Sequence, residues 1–341
     1  NVTDNICRTS ATAGIQLLQS QRISAVRNRC EYGPYGIDVY GGDANDISQN
    51  VCVLNSVTGL LLNATQNTSV VLNYCLWNAI GIQLQDTYGS SVTQNTCDEN
   101  TNSGALVTRS RSNNLGSNLL HRNWRGVGLI SSDHNYLAGN LLEDNTESGI
   151  YLYLSQSNEV DANTISGGEY GIYAAACYGN TITINNLENN TWAGICLLES
   201  QMGIIDFNTF LGCGLELRGE TFLAQQEVAA NLVNGAPLVY LQNQRRASVP
   251  SGAGQVVLFQ CHSITIEHQN LSSTSIGLLM LQSAVVTVEG CVFARNARSG
   301  VELWRARAVT FVNNSFLGNG ECGLVLHSDC SDSTIRKNLF A

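Results

Sequence analysis

A repeat of 22 or 23 residues constrains this chain more than any other feature of its sequence. The motif Gly-apolar-x-apolar recurs regularly from Gly14 to Gly194, with steps that alternate between 22 and 23 residues. An asparagine ladder from Asn5 to Asn208 keeps the same alternating steps, and a β-branched residue or leucine lies just before its members. Because these patterns share one period, the chain is predicted to be built from equivalent turns.

Each repeat contains short stretches of alternating apolar and polar residues, bounded by Gly, Asn, Ser and Asp. Such alternation is typical of β-strands, and no repeat has room for a helix of about 10–12 residues. A leucine-rich repeat has a similar period, but its leucine frame and helical segment are missing. The sequence therefore predicts an all-β fold, a single-domain right-handed parallel β-helix (solenoid) of about 15 coils with 22–23 residues per coil.

The period is interrupted in the middle of the chain. Regular coils are expected over 1–217 and 263–341, and irregular coils with a longer loop over 218–262. After the interruption the glycine ladder resumes at Gly277 with steps of 23 residues. We therefore expect one β-helix domain over 1–341, without a domain boundary in the irregular part.

The ladders resemble the right-handed β-helix repeats of the periplasmic copper-binding and carbohydrate-binding/sugar-hydrolase group. The stretches Val-Asn-Gly-Ala-Pro-Leu-Val-Tyr-Leu from Val233 and Val-Pro-Ser-Gly-Ala-Gly-Gln-Val-Val-Leu from Val249 are similar to archaeal and bacterial surface members. The resemblance covers nearly the whole chain and implies the β-helix fold. It implies no single activity, because the group mixes enzymes with passive surface proteins.

Strand alternation predicts which ladder positions point into a coil. The first and third residues after each ladder glycine are expected to face inward, and the glycine itself to occupy a bend with positive φ. The second residue after each ladder asparagine is cysteine or a large apolar residue, so that position is also expected in the interior. The asparagine amides are expected to bond to backbone groups and to one another.

Five cysteines occupy equivalent interior positions on successive coils. We expect at least one disulfide between neighbours, since about 4.8 Å between equivalent Cα atoms lies within the disulfide range. A row of small buried thiols is the competing interpretation. Metal sites need converging Cys, His or Met ligands, which this spacing does not offer, so no metal or cofactor is predicted. The disulfide candidates are Cys7, Cys30, Cys52, Cys75 and Cys97.

Composition and sequons favour an exported protein. The 12 cysteines fit an oxidising compartment, and a first residue other than Met, with no apolar leader, fits a mature exported chain. No apolar run reaches the roughly 18 residues that a membrane span needs. We therefore expect an extracellular or cell-surface glycoprotein. The candidate glycosylation sites are Asn1, Asn63, Asn67, Asn189, Asn270 and Asn313.

The charge pattern disfavours some functions. A net charge of −10 disfavours nucleic-acid binding. No paired carboxylates are evident, so no catalytic residue is predicted and the sequence favours a protein that is not an enzyme. Outward tyrosines and clustered arginines are candidates for contact with a glycan or a protein. These candidates are Tyr40, Tyr151, Tyr153, Tyr173, Arg109, Arg111, Arg122 and Arg125.

The first and last segments of the chain share the same part of the repeat, and neither shows a capping element. The segment with Asn5 and Cys7 corresponds to the segment with Asn338 and Phe340. A head-to-tail contact between copies would continue the ladders, and such a contact generates an open filament. We therefore expect a structural protein that assembles with copies of itself into an extracellular filament or sheath. The alternative is a β-helix protein that binds, cleaves or epimerises a polysaccharide.

Overall fold

The structure, a computed structural model, describes residues 1–219 and 226–341. The predicted all-β fold is confirmed: the chain is a right-handed parallel β-helix of about 14 turns, close to the 15 expected. No helix in the part of the chain that the structure describes is long and apolar enough to cross a membrane.

The strands as far as residue 233 are β1 (Val2–Thr3), β2 (Ile6–Arg8), β3 (Ala13–Leu18), β4 (Ser24–Val26), β5 (Arg29–Glu31), β6 (Tyr35–Tyr40), β7 (Asp46–Ser48), β8 (Val51–Val53), β9 (Thr58–Asn63), β10 (Ser69–Val71), β11 (Tyr74–Leu76), β12 (Ile80–Gln85), β13 (Ser91–Thr93), β14 (Thr96–Asp98), β15 (Ser103–Thr108), β16 (Asn114–Gly116), β17 (Leu119–His121), β18 (Arg125–Ile130), β19 (Tyr136–Ala138), β20 (Leu141–Glu143), β21 (Ser148–Tyr153), β22 (Glu159–Asp161), β23 (Thr164–Ser166), β24 (Tyr170–Ala175), β25 (Thr181–Thr183), β26 (Asn186–Glu188), β27 (Ala193–Leu198), β28 (Ile204–Asp206), β29 (Thr209–Leu211), β30 (Leu215–Arg218), β31 (Glu227–Ala229) and β32 (Leu232–Val233). The strands that follow are β33 (Ala236–Gln242), β34 (Arg245–Ser248), β35 (Gln255–Phe259), β36 (His262–Glu267), β37 (Ile276–Leu281), β38 (Ala284–Glu289), β39 (Val292–Ala294), β40 (Ser299–Trp304), β41 (Thr310–Val312), β42 (Ser315–Leu317), β43 (Cys322–Leu326), β44 (Thr334–Arg336) and β45 (Leu339–Phe340).

The described chain divides into two compact units. Unit 1 comprises Asn1–Asn186, Leu197–Ile204 and Gln226. Unit 2 comprises Leu187–Cys196, residues 205–219 and Glu227–Ala341. The single domain over the whole chain stays a prediction.

Three parallel sheets enclose the interior of unit 1, and equivalent residues of successive coils pair in register. Cys75, for example, lies opposite Cys52 on one side and Cys97 on the other. The strand orders are β1-β4-β7-β10-β13-β16-β19-β22-β25 in sheet S1, β2-β5-β8-β11-β14-β17-β20-β23 in sheet S2 and β3-β6-β9-β12-β15-β18-β21-β24 in sheet S3.

The residues predicted to face inward form the core of unit 1. Ile37 and Ile82, each directly after a ladder glycine, are fully buried. The second position after each ladder asparagine is buried from Cys30 onward, while Cys7 in the first coil is partly exposed. Alternation along S2 and S3 therefore fills the coil with stacked apolar side chains and thiols.

The ladder glycines are required for a different reason from the one expected. None of those in unit 1 has a positive φ, so the prediction of a left-handed bend at these glycines is wrong. A Cβ on Gly81 would lie 2.5 Å from the carbonyl oxygen of Gly104 and 3.0 Å from Cys97 Cβ. The close approach of neighbouring coils leaves no room for a side chain. Positive φ occurs instead just before the ladder asparagines, as at Leu72.

Asparagine amides connect the coils at the turn between S1 and S2, as predicted. Asn73 Oδ1 accepts two hydrogen bonds from Asn50, one from the backbone N–H at 2.9 Å and one from Nδ2 at 3.0 Å. Asn73 Nδ2 in turn donates to Asn95 Oδ1 at 2.9 Å. A second ladder of this kind, not anticipated from the sequence, comprises Asn55, Asn78, Asn100, Asn123 and Asn145.

Unit 2 contains a reversal of strand direction that was not expected from the sequence. Strands β32 and β33 pair antiparallel across the turn Asn234-Gly235, whose φ angles are 53° and 79°. Asn-Gly is a strong signal for a two-residue hairpin, because both turn positions require positive φ. The predicted longer loop over 218–262 therefore includes a hairpin, and its residues 220–225 lie outside the described residues.

Strands on each side of this hairpin are parallel to their other neighbours. Equivalent residues pair in register again, with Glu302 opposite Leu279 and Val325. The strand orders in unit 2 are β29-β32-β33-β35-β37-β40-β43 in sheet S4, β34-β36-β38-β41-β44 in sheet S5 and β39-β42-β45 in sheet S6.

Candidate functional site

The outer face of S3 in unit 1 carries a stack of tyrosines. Tyr151 on β21 and Tyr173 on β24 each lie two residues after a ladder glycine and pair in register. Their ring centroids are 5.7 Å apart and the rings are nearly parallel, at 8°. The Tyr153 ring lies 6.4 Å from that of Tyr151. Three of the four predicted tyrosines therefore lie together.

Arg125 extends the tyrosine stack from the preceding coil. Its Cζ lies 3.5 Å from the Tyr151 ring centroid and 4.1 Å from that of Trp124. Its Nη2 donates to Glu147 Oε1 at 3.0 Å. Burial raises the pKa of the Tyr151 hydroxyl, against the opposing charge of Arg125. Trp124 and Tyr153 remain about two-fifths exposed, at 40% and 39%, so their rings are available to a ligand.

A shallow groove of about 400 Å³ lies at the carboxyl ends of β12, β15 and β18. Within it, Arg111 Cζ lies 5.5 Å from the ring centroid of Tyr88. The groove borders the strand that ends in Tyr153, because the backbone N–H of Ser131 donates to the carbonyl of Tyr153 at 2.9 Å. The groove is lined by Asp86, Thr87, Tyr88, Arg109, Ser110, Arg111, Ser131 and Asp133.

Carboxylates neutralise most of the arginines that were predicted to contact a ligand. Arg109 Nε and Nη2 each donate to the Asp86 carboxylate at 2.9 Å, and this contact lowers the pKa of Asp86. Arg122 Nη2 contacts Asp98 and lies 3.2 Å from Glu99 Oε1. Arg109, directly after β15 in S3, and Arg122, directly after β17 in S2, therefore belong to charge pairs and do not form an uncompensated positive patch.

The other predicted contact and glycosylation residues lie apart from this stack. Tyr40 ends β6, is 47% exposed, and pairs in register with Leu18 and Asn63. Asn63 is partly exposed, and the other sequon asparagines are exposed. Their glycosylation stays a prediction. The exposed sequon asparagines are Asn1, Asn67, Asn189, Asn270 and Asn313.

The residues predicted to lie at an assembly contact take part in the ladders. Asn5 Nδ2 donates to Asn28 Oδ1 at 2.9 Å. Asn338 Oδ1 accepts a hydrogen bond from the backbone N–H of Asn314 at 2.9 Å. Phe340 is 52% exposed and its ring stacks on that of Phe316, with centroids 4.6 Å apart. Head-to-tail contact of Asn5, Cys7, Asn338 and Phe340 stays a prediction.

The five ladder cysteines lie next to one another in the interior of unit 1. They pair in register along S2, and all five are free thiols in the structure, so the predicted disulfide stays a prediction. A hydrogen bond to Cys52 and burial raise the pKa of Cys30. Within residues 1–219 and 226–341, no group of three or more Cys, His, Asp or Glu side chains could hold a metal ion.

A second candidate site, missed from the sequence, lies in unit 2. Glu216 on β30 and Glu302 on β40 are only 1% and 2% exposed. One guanidinium contacts both: Arg298 Nη1 donates to Glu216 Oε1, and Arg298 Nη2 lies 3.3 Å from Glu302 Oε1. Arg218 Nε also donates to Glu216 Oε1, at 2.5 Å. The fold thus brings two buried carboxylates to one arginine.

The cluster contains oxygen atoms whose hydrogen-bonding capacity the described protein atoms do not use. Glu216 Oε2 and Ser299 Oγ are buried and have no hydrogen-bond partner among the described residues. Burial raises the pKa of Glu216, and the Glu302 carboxylate adds to this effect, while Arg218 and Arg298 oppose it. Burial therefore favours the protonated form of Glu216.

Aromatic side chains flank the cluster. The guanidinium carbons of both arginines lie 5.3 and 5.4 Å from the Trp192 ring centroid. Trp304 stacks on His327 with centroids 3.5 Å apart, and His327 Nε2 lies 3.2 Å from Glu302 Oε2. Arg218 and His327 are partly exposed and so link the buried carboxylates to solvent.

One signal in the sequence points to these glutamates. Glu216 and Glu302 each lie two residues after a glycine, Gly214 and Gly300, at the outward position of the ladder. Outward glutamate at this position distinguishes the two coils from their neighbours. The period alone could not bring them together, because Glu216 and Arg298 are 82 residues apart.

Comparison with solved structures finds distant likenesses. The chain is similar to the periplasmic alginate epimerase AlgG (11% identity, 96% of this chain and 77% of that chain, TM-score 0.32). It is similar to the Dettilon tailspike protein (13%, 97% and 61%, 0.48) and to the tailspike protein of E. coli bacteriophage HK620 (12%, 94% and 71%, 0.48). No curated protein matches the sequence.

Family models match both parts of the chain. A model described as right handed beta helix region matches residues 242–341. A second model, described as periplasmic copper-binding protein (NosD), matches residues 1–130 and 104–220, which together span more than half of the chain. The chain therefore belongs to the family described as periplasmic copper-binding protein (NosD).

Proposed function

We propose that the protein binds a neutral polysaccharide along the outer face of S3 in unit 1, outside the cell or in the periplasm. The observation that carries this proposal is the groove at Tyr88, which borders the strand that ends in the exposed ring of Tyr153. The exposed ring of Trp124 lies beside Arg125, which contacts Tyr151 of the same tyrosine stack. Aromatic rings pack against the C–H faces of sugars, and the polar groups of the groove offer donors and acceptors to hydroxyl groups. The periplasmic description of the family and the 12 cysteines support the location.

Charge pairing favours a neutral ligand over an anionic one. Arg109, Arg122 and Arg125 already contact carboxylates, so little positive charge is left to attract a polyanion. The net charge of −10 acts in the same direction. A hydroxyl-rich, uncharged chain therefore suits this face better than an acidic glycan.

The description of the family names copper, but the described residues of this chain do not fit a copper centre. Copper binds thiolates, whereas hydrogen bonds between neighbouring thiols and burial favour the protonated forms of Cys30, Cys52 and Cys75. For Cys52, the hydrogen bond with Cys30 lowers the pKa, but the hydrogen bond with Cys75 and burial outweigh it and hold the value well above the usual range. Copper therefore has no part in the proposed function.

Removal of an exposed ring tests polysaccharide binding. Tyr88→Ala and Tyr153→Ala are each expected to weaken binding about tenfold, which corresponds to about 1.4 kcal/mol, because each removes an aromatic contact surface. The measurement is calorimetric titration with dextran, laminarin and mannan, with alginate and polygalacturonate as acidic comparisons.

Tyr178→Ala is the matched control. Tyr178 is 51% exposed, compared with 48% for Tyr88, and holds the same position in a later coil outside the groove. It should leave the affinity unchanged. Failure of the wild-type protein to bind any neutral polysaccharide, or equal loss in the control, would overturn the proposal. End-to-end filament assembly is a separate prediction, tested by light scattering at physiological salt.

A further inference from the structure

We propose that the Glu216–Glu302 cluster of unit 2 is an acid–base site that hydrolyses a glycosidic bond, with Glu216 as proton donor and Glu302 as base. The choice of a polysaccharide as substrate rests on the proposed function. The assignment of the two roles rests on the contacts within unit 2 alone.

The two carboxyl groups lie in different surroundings. Both oxygens of Glu302 face cationic or potentially cationic groups, Arg298 at 3.3 Å and His327 at 3.2 Å. In Glu216 only Oε1 contacts arginine, and Oε2 is buried without a hydrogen-bond partner among the described residues. We therefore assign the proton donor to Glu216, whose Oε2 is open to a ligand, and the base to Glu302. Paired carboxyl groups with opposed environments are the arrangement that acid–base catalysis requires.

The buried polar atoms without partners point to a ligand. Native proteins satisfy nearly all buried polar groups, so Glu216 Oε2 and Ser299 Oγ need a partner that the described residues do not supply. Ser299 begins β40, the strand that carries Glu302. A bound sugar offers hydroxyl and glycosidic oxygen atoms that match both groups.

The rim of the cluster has the composition of a saccharide subsite. Trp192 is 38% exposed, and the stacked pair Trp304 and His327 lies on the Glu302 side. Indole rings provide apolar surface for sugar rings, while the guanidinium groups hold their hydroxyl oxygens. The cluster therefore combines groups that bind a sugar with groups that transfer protons.

The proposed step balances with water as the second reactant. The bond between the anomeric carbon and the glycosidic oxygen breaks, and the leaving oxygen takes the proton of Glu216. Water attacks the anomeric carbon and gives one proton to Glu302, so that its hydroxyl group completes the new reducing end. Proton exchange with solvent then restores both glutamates. Attack by water from the face opposite the leaving group inverts the anomeric configuration.

Reducing-end release from the same neutral polysaccharides tests this inference. The wild-type protein is expected to release reducing ends from a polysaccharide that it binds. Glu216→Gln and Glu302→Gln are each expected to lower the rate at least 100-fold, the order of magnitude of general acid or base catalysis. Glu267→Gln, an exposed glutamate of the same unit, is the matched control and should keep the wild-type rate.

Two further measurements separate catalysis from a structural role of the ion pairs. Binding titrations and thermal unfolding of each variant show whether it still folds and binds. Proton NMR of the first wild-type products should show the inverted anomer, and retention would contradict the role of Glu302. Binding without release of reducing ends, or wild-type rates in both glutamine variants, would overturn the inference while the proposed binding function stands. Absence of binding by the wild-type protein would instead overturn the proposed function.

Discussion

Single residues in the glycine ladder show how closely neighbouring coils approach each other. Glycine is required at position 81, because a Cβ there would collide with the carbonyl oxygen of Gly104 in the backbone of the next coil. Gly116 lies on S1, where an added Cβ would come no nearer than 3.4 Å to its neighbours. Two glycines of the same unit therefore differ in what they contribute to the fold.

Gly81→Ala is expected to lower the free energy of unfolding by about 2–3 kcal/mol, because overpacking forces backbone shifts. Gly116→Ala is the matched control and should be neutral or slightly stabilising, since alanine loses less conformational freedom than glycine on folding. Urea unfolding followed by circular dichroism measures both. Equal stability of the two variants would show that the coils move apart easily.

At the scale of strands and turns, the row of thiols along S2 is the feature with the clearest chemical consequence. The cysteines pair in register on successive strands, so each sulfur has a neighbour from the next coil. Hydrogen bonds within the row and burial raise the pKa of Cys52 and Cys75, which makes these two thiols slow to react. Oxidation would link coils that hydrogen bonds already hold side by side.

The native protein is expected to contain at least one disulfide between neighbouring members of Cys7, Cys30, Cys52, Cys75 and Cys97. Such a bridge closes a loop of 22 or 23 residues, which is worth about 3 kcal/mol in the chain-entropy model. Mass spectrometry of the unreduced protein is the measurement, and melting with and without reductant gives the stability. Five alkylated thiols under denaturing, non-reducing conditions would contradict the prediction.

Much of this element-level structure could be predicted from the sequence, because the period fixes which residues face inward. Ile37 and Cys30 were placed correctly on that basis. The hairpin at Asn234-Gly235 had a local signal, but continued periodicity was given more weight than turn chemistry. The cluster of Glu216 with Arg298 could not be predicted, because a period says which positions are equivalent and not which distant coils meet.

At the scale of the whole molecule, the buried glutamate of unit 2 makes stability depend on pH. The folded protein favours the protonated form of Glu216, because burial raises its pKa above the ordinary value of 4.5. The resulting contribution to stability is present below pH 4.5 and is lost as the pH rises through the raised pKa. Each unit of that rise corresponds to about 1.4 kcal/mol.

Glu216→Gln is expected to remove this loss, because glutamine resembles the protonated side chain and cannot ionise. The difference in unfolding free energy between variant and wild type should therefore shift in favour of the variant as the pH rises from 4 to 8. Chemical unfolding of both proteins at several pH values measures this difference. If the wild-type protein instead gained stability relative to the variant as the pH rises from 4 to 8, Arg218 and Arg298 would be keeping Glu216 ionised.

The asparagine ladder of unit 1 also bears on how such a chain changes in length. Each amide is hydrogen-bonded to the equivalent amide one coil away. The donor and acceptor positions at the contact between two coils are therefore the same from one coil to the next. Removal of one whole coil between Asn73 and Asn118 would bring equivalent amides together and let the ladder close again. Stability in such an array is a sum over neighbouring repeats. Gain or loss of a whole coil is therefore expected to leave the remaining ladders intact, whereas an insertion of another length inside a strand would move the residues after it out of register.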